Sequence, residues 1–330
     1  LPQNTSHTFI KPETLVSGVV GILDREIILP GLVQRSAGAD FAGAAGDVIN
    51  IKRPARLVAN ETAMRGDDVA GQLAPRIFAD NLVQQKMQVK LDKHFYSAVD
   101  LTDEQLTLDL SDFGNEVLAP QAQAIAEKLE ILLKGEIEAV EGKNFIAAGA
   151  KLSATTEKQL LALIVKIRKA LNQANVPARD RVLLIGTDVE EILLNSDLLN
   201  KQNESGTSET LRNGQIGRLK GFDIVVSNVV KTNLLVGFHK SAFFLVTQAP
   251  VVPTGVTYGA GTAYKGLAAR YVRDYNSETA SDRSLVSTFA GVATTVDQTV
   301  KTTGTGASRV HSLNPPAVVR ACAVTFTPES

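Results

Sequence analysis

The chain has 330 residues, 44% hydrophobic and 21% charged, with a formal net charge of −1. This is the composition of an ordinary globular protein of roughly two domains. It excludes a helical membrane anchor, because no run approaches the ~18 apolar residues a span needs, and it argues against a dedicated nucleic-acid binder, whose affinity rests on clustered Lys and Arg. The single cysteine, Cys322, rules out an internal disulfide and a paired-cysteine zinc site. Aromatic residues are 5% and Trp is absent, so any assembly must use wide surfaces instead of a few aromatic anchors.

Residues 1–45 begin with a polar, extended stretch at Asn4–Pro12 that carries no charged-then-apolar leader pattern. An initiator Met is usually retained before Leu, so a start upstream of Leu1 is expected. Leu15, Val19, Ile22, Leu23 and Ile27 then recur at helical spacing until Pro30-Gly31. A Gly/Ala-rich stretch follows at 35–46. Residues 47–57 read as one strand, and Lys86–Asp92 as a second with Met87, Val89 and Leu91 on one face. Two strands joined by so long a polar tip are marginal alone and require an external surface.

A strand is expected from His94 to Leu101, then a helix start at Leu101-Thr-Asp-Glu-Gln-Leu. A long helix follows from about Pro120 to Glu141, with Ile125, Leu129, Leu132, Leu133, Glu136, Ile137 and Val140 along its stripe. Residues 151–261 read as an α/β unit. Thr156-x-x-Gln159 is a capping box opening a helix with Leu160, Leu163, Ile164, Ile167 and Leu171 on its buried face. Arg181–Ile185 is a buried strand, Thr187 or Asp188 caps a second helix through Leu199, and 202–214 is a polar loop. Strands at 223–227, 233–238 and 242–247 complete this unit's sheet. Two further strands follow at 264–275 and 284–298, then a Thr/Gly/Ser linker at 302–308 and a docking strand within 317–326.

Signatures of catalysis are missing. His7, His94, His239 and His311 are scattered, and neither a His-Glu-x-x-His, a Gly-x-Ser-x-Gly nor a phosphate loop is present. Gly259-Ala-Gly261 with Gly266 has the wrong spacing for a dinucleotide loop and reads as a corner between strands. Arg65-Gly-Asp67 reads as a tight turn. The Asp103-Glu104 and Asp109…Asp112 carboxylates suit a helix start. No cofactor and no metal are expected, and an enzyme is not.

The order of these segments, with Thr14–Arg35, Gly46–Pro54, Val99–Gly114, Ile216–Phe222, Tyr271–Tyr275 and Ser281–Arg283, resembles the major capsid proteins of tailed double-stranded-DNA bacteriophages, in particular the P-twenty-two-like coat protein family. The resemblance spans roughly residues 8–300. It implies an α+β chain with the Hong-Kong-ninety-seven-like (Johnson) phage capsid fold. The units implied are an N-terminal arm at 1–45, an E-loop hairpin at 46–92, a peripheral domain at 93–150 and 262–300 built on the long helix, an axial domain at 151–261 and a tail at 301–330. It implies self-assembly as pentamers and hexamers into an icosahedral head that encloses double-stranded DNA without sequence-specific binding. Portal, scaffolding or decoration proteins are the implied partners, with no membrane, and the virion capsid, assembled in the bacterial cytoplasm, is the implied location.

The expected contacts between subunits are Leu15, Val19 and Ile22 in the arm, Lys52, Arg56, Arg65, Asp67, Asp68 and Arg76 along the hairpin, and Met87, Val89 and Leu91 at its return strand. The apolar ones would be covered by a neighbour, while the charged ones would set register. Two departures from the family stand out. Loop 202–214 is too short for an inserted β-domain. Between Arg53 and Gln85 there is no Lys, so an isopeptide weld from the hairpin tip is not expected, guanidinium being a poor nucleophile. The alternatives are an encapsulin-like nanocompartment shell, which shares the fold, and a soluble α/β enzyme.

Overall fold

The computed structural model describes residues 16–21, 28–37, 48–53, 59, 85–104, 113–141, 157–195, 217–256, 258–278, 280–298, 300–303 and 310–325. Its organising strand is β12 (Ser281–Thr294), which is paired on both edges. One edge carries β4 (Lys93–Thr102), antiparallel from Ser281↔Thr102 to Ala290↔Lys93. The other edge is shared. β11 (Leu267–Asn276) takes the first half and β9 (Phe243–Gln248) the second, with Phe289 opposite Gln248. β10 (Tyr258–Tyr264) folds back on β11 through Lys265 and Gly266, both at positive φ (48° and 78°), as a tight hairpin turn requires. β1 (Gln34–Ala37) adds in parallel to β9.

Helix α2 (Ala119–Glu138) lies against this sheet. Pro120 suits its first turn, where the missing N–H costs nothing. Ala122, Ile125, Ala126, Leu129, Leu133 and Ile137 form the stripe that enters the main core. Near its start, Gln121 is buried with all its hydrogen-bonding capacity directed at the sheet. Its Nε2 donates to Ser97 O (3.2 Å) and Ser284 O (3.0 Å), and its Oε1 accepts from Ser284 Oγ (2.8 Å). A short helix, α1 (residues 16–21), contributes Val16, Val19 and Val20 to the same core.

The second sheet runs β15-β8-β5-β7-β6. β5 (Arg181–Ile185) is fully buried between β7 (Phe222–Val226), parallel to it, and β8 (Leu234–His239), antiparallel. β6 (Arg218–Leu219) and β15 (Ala321–Thr325) form the edges. Leu183, Ile185, Leu235, Cys322 and Val324 face α3 (Glu157–Gln173) and α4 (Thr187–Leu194). Val182, Leu184, Val236, Phe238 and Ala323 face the main core with α2. Both faces are covered, so the strands read as continuous apolar runs.

Several elements differ from the sequence reading. The strand near 242–247 does not join the second sheet. The 3₁₀ turn Lys240–Ala242, whose Ser241 amide donates to His239 Nδ1, redirects the chain after β8, and β9 pairs in the first sheet. Helix α4 stops at Leu194, with Asn195 as its C-cap, well before Leu199. Neither Thr187 nor Asp188 caps it. The cap is Gly186, and the Asp188 amide is satisfied by Thr232 O (3.0 Å), an approach so close that a Cβ on Gly186 would sit 2.2 Å from that oxygen. Part of the expected linker forms a ribbon, β13 (Val300–Thr303) with β14 (Val310–Leu313), since β-branched residues on both sides pair readily. The docking strand read within 317–326 is β15.

The hairpin of β2 (Val48–Arg53) and β3 (Gln85–Lys90) forms in the register Val48↔Lys90 to Arg53↔Gln85. The chain leaving β3 crosses β12 at Gly291, where a Cβ would meet Lys90 O at 2.2 Å. Gly291→Ala should therefore push the hairpin off its seat and cost about 1–3 kcal/mol, as overpacking does. Urea unfolding of the purified variant checks this, and wild-type stability would contradict it.

Candidate assembly surfaces

The residues expected to wait for a neighbour fall into three groups. Met87 (6% exposed) and Val89 (0%) are already covered by the chain's own sheet, against Phe244 and Val246, with Leu91 half-buried beside them. Their apolar face is thus the seat of the hairpin, which corrects its assignment to a neighbour. Val19 is likewise buried in the chain's own core. Lys52 pairs through its backbone with Lys86. Leu15, Ile22, Arg56, Arg65, Asp67, Asp68 and Arg76 lie outside the described residues, as do Thr156 and loop 202–214.

The arm is clamped by a residue that sequence reasoning missed. Glu130 is buried on α2, and its Oε1 accepts from the amides of Ile28 (2.5 Å) and Leu29 (3.2 Å), the first groups of the 3₁₀ turn Leu29–Leu32. A carboxylate on two amides that have no partner within their own turn is a charge-assisted cap. The signal was available, because Glu130 falls on the apolar stripe, four residues after Ala126 and three before Leu133.

The far end of α2 joins the two sheets. Glu136 accepts from Thr294 Oγ1 (2.8 Å) on β12. Glu138 accepts from the Lys231 amide (3.1 Å) in the loop before β8. Glu141, just beyond the helix, pairs with Lys231 Nζ (3.6 Å) and accepts from the Thr325 hydroxyl on β15.

At the opposite end of the first sheet lies a ladder of both signs, exposed except at Asp282. Arg283 forks onto Asp100 (2.6 and 2.7 Å), and that guanidinium holds the Asp100 carboxyl below its usual range. Arg273 binds Asp282 and lies over the Phe113 ring at 5.0 Å. The Tyr275 hydroxyl donates to Asp103 (2.9 Å), which raises its pKa. The exposed contacts, Arg283–Asp100 and Tyr275–Asp103, contribute little stability in water and are better suited to register.

A fourth polar cluster ties down the C-terminal segment. Arg320 binds Asp297 through Nε and Nη2 (2.6 and 3.0 Å) and donates from Nη1 to Ser241 Oγ (2.5 Å), which sits 2.8 Å from His239 Nδ1. Serine and histidine meet here, but the carboxylate engages the arginine and not the imidazole, so the orientation a nucleophilic triad requires is not formed. Burial, then the Arg320 charge, lowers the His239 pKa.

Other chemistry finds little foothold. Among the described residues no group of three His, Cys, Asp or Glu could hold a metal ion, and no helix is long and apolar enough to cross a membrane. An open groove of about 400 Å³ between Gln248–Val252 and Gly261–Ala268 is lined by Gln248, Thr262 and small apolar residues, with no ionisable side chain. Cys322 is buried, and its thiol is pushed up to about 11, so it stays protonated and unreactive.

The comparisons with known proteins agree with this architecture. The profile of the phage capsid protein family matches residues 84–321, well over half of the chain. The structure of Mycobacterium phage Che8 is similar over 81% of this chain and 87% of its own, at 21% identity and a TM-score of 0.58. The capsid of cyanophage P-SCSP1u aligns with 100% of this chain and 93% of its own, at 12% identity and a TM-score of 0.60. The mature capsid of bacteriophage PhiM1 aligns with 100% and 92%, at 12% identity and 0.58. No curated protein sequence matches. The fold is the Hong-Kong-ninety-seven-like phage capsid fold. The chain belongs to the phage capsid protein family, a structural protein of the virion capsid.

Two predictions follow from these contacts. Glu130→Ala should leave the Ile28 and Leu29 amides unpaired and cost about 2–3 kcal/mol, with Glu130→Gln costing less because it keeps an acceptor; equal stability of all three proteins in urea would contradict the clamp. For His239, whose folded pKa lies below the ordinary 6.5, the unfolded chain takes up the proton first as pH falls. Its contribution is therefore full above about pH 6.5 and lost as pH drops through the folded value. Unfolding free energies measured between about pH 7.5 and 5 should fall less in His239→Gln than in wild type.

Proposed function

We propose that this chain is the major capsid protein of a tailed bacteriophage, assembling with copies of itself as pentamers and hexamers into an icosahedral head around double-stranded DNA. Its role is structural and not catalytic. The peripheral unit is the first sheet with α2, and the axial unit is the second sheet with α3 and α4. Portal, scaffolding and decoration proteins are its proposed heterologous partners.

The observation that carries this reading is the β2–β3 ribbon. It pairs with no other strand among the described residues, and Met87 and Val89 of β3 seat it on Phe244 and Val246. A lone two-stranded ribbon is marginal in water. A ribbon seated on its own sheet through β3 suits a reach across an adjacent subunit. Many such contacts, each weak, make a closed shell strong.

Arg53 and Gln85 are paired, so residues 54–84 can be replaced by an Asn-Gly turn without disturbing the root. The shortened protein should keep the melting temperature of the unassembled wild type yet form no closed shells, as read by sedimentation and electron microscopy. Shells at normal yield would overturn the role given to the hairpin.

A further inference from the structure

Charge on this chain is segregated. Helix α3 buries Leu160, Leu163, Ile164, Ile167 and Leu171, which turns Lys158, Lys166, Arg168 and Lys169 to solvent. Its one acid, Glu157, stands at the first position, where a helix favours a carboxylate. The Arg168 guanidinium donates to Lys220 O (2.9 Å), which fixes the β6–β7 turn beside the helix and adds the exposed Lys220 as a fifth cation. Among the described residues no ion pair neutralises Lys158, Lys166 or Lys169. By contrast, α2 carries Glu127, Glu130, Glu136 and Glu138 against Lys128 and Lys134, and the whole chain is −1.

We propose that the solvent face of α3, with Lys220, binds the phosphate backbone of duplex DNA and is therefore a lumenal face of the subunit. This rests on the shell reading above. Lys158 and Lys169 are eleven residues apart, roughly 16 Å along the helix, and a duplex presents one charge per ~1.7 Å of axis, so one face meets several phosphates. A contact between two copies of the chain fits less well. The cores of protein interfaces are depleted of Lys and built on apolar anchors, and the large hydrophobic exposed on this helix is Val165. The described part of the face bears no aromatic side chain on which single-stranded bases could stack. Binding is thus electrostatic and indifferent to sequence.

The test uses full-length protein before assembly, a fluorescent duplex of arbitrary sequence, and anisotropy titrations across a series of salt concentrations. In the triple variant Lys158→Gln, Lys166→Gln, Lys169→Gln, the slope of log affinity on log salt should shrink by about 0.9 per lysine, about 2.7 in all. Helix content by circular dichroism and shell formation by electron microscopy should be unchanged. An unchanged slope in the folded variant overturns the proposal, as does a wild type that does not bind the duplex at low salt. Loss of shells with folding intact also overturns it and marks the face as a contact between copies. A wild type that never closes into shells overturns the capsid reading itself, whatever the slope.

Discussion

The structure depends on one helix being anchored along its whole length. α2 meets the first sheet through Gln121, the arm through Glu130, and both sheets near its far end through Glu136, Glu138 and Glu141. Each contact is a polar group placed on or beside an apolar stripe. The stripe supplies the burial, but apolar packing is non-directional. Hydrogen bonds from defined atoms supply the register in which arm, sheets and helix meet. A buried polar group that loses its partner is expensive, so the arrangement has few alternatives.

That rigidity is what a shell subunit requires. Contacts between subunits are individually weak and are repeated across a closed surface, so a body that flexed would spread their geometry. The long strand β12, paired on both edges, and the second sheet, covered on both faces, give such a body. The hairpin root and the arm are part of it. The apolar residues of β3 and α1 are buried in the chain's own cores and fix both extensions to this body.

Much of this was legible in the sequence. The stripe from Ile125 to Ile137 gave the spine, the alternation of Met87, Val89 and Leu91 gave β3, and the segment order gave the family. The sheet assignment of β9 was not legible, because Phe243–Val246 is a continuous apolar run that suits either sheet. The redirecting cap at His239 and Ser241 is a matter of side-chain geometry. Glu130 was not singled out, although its position on the stripe was diagnostic. The burial of Met87 and Val89 was legible as burial, but periodicity cannot say whether the covering surface belongs to the same chain. The tip residues Arg56, Arg65, Asp67, Asp68 and Arg76 remain candidates on sequence grounds alone.

The most direct measurement is cryo-electron microscopy of the native assembly at a resolution that traces each subunit. The account predicts a closed icosahedral shell in which the body of every subunit is built on α2 and β12, with residues 54–84 lying across the adjacent subunit. A small soluble oligomer that never closes, or shells in which that segment folds back onto its own subunit, would contradict it.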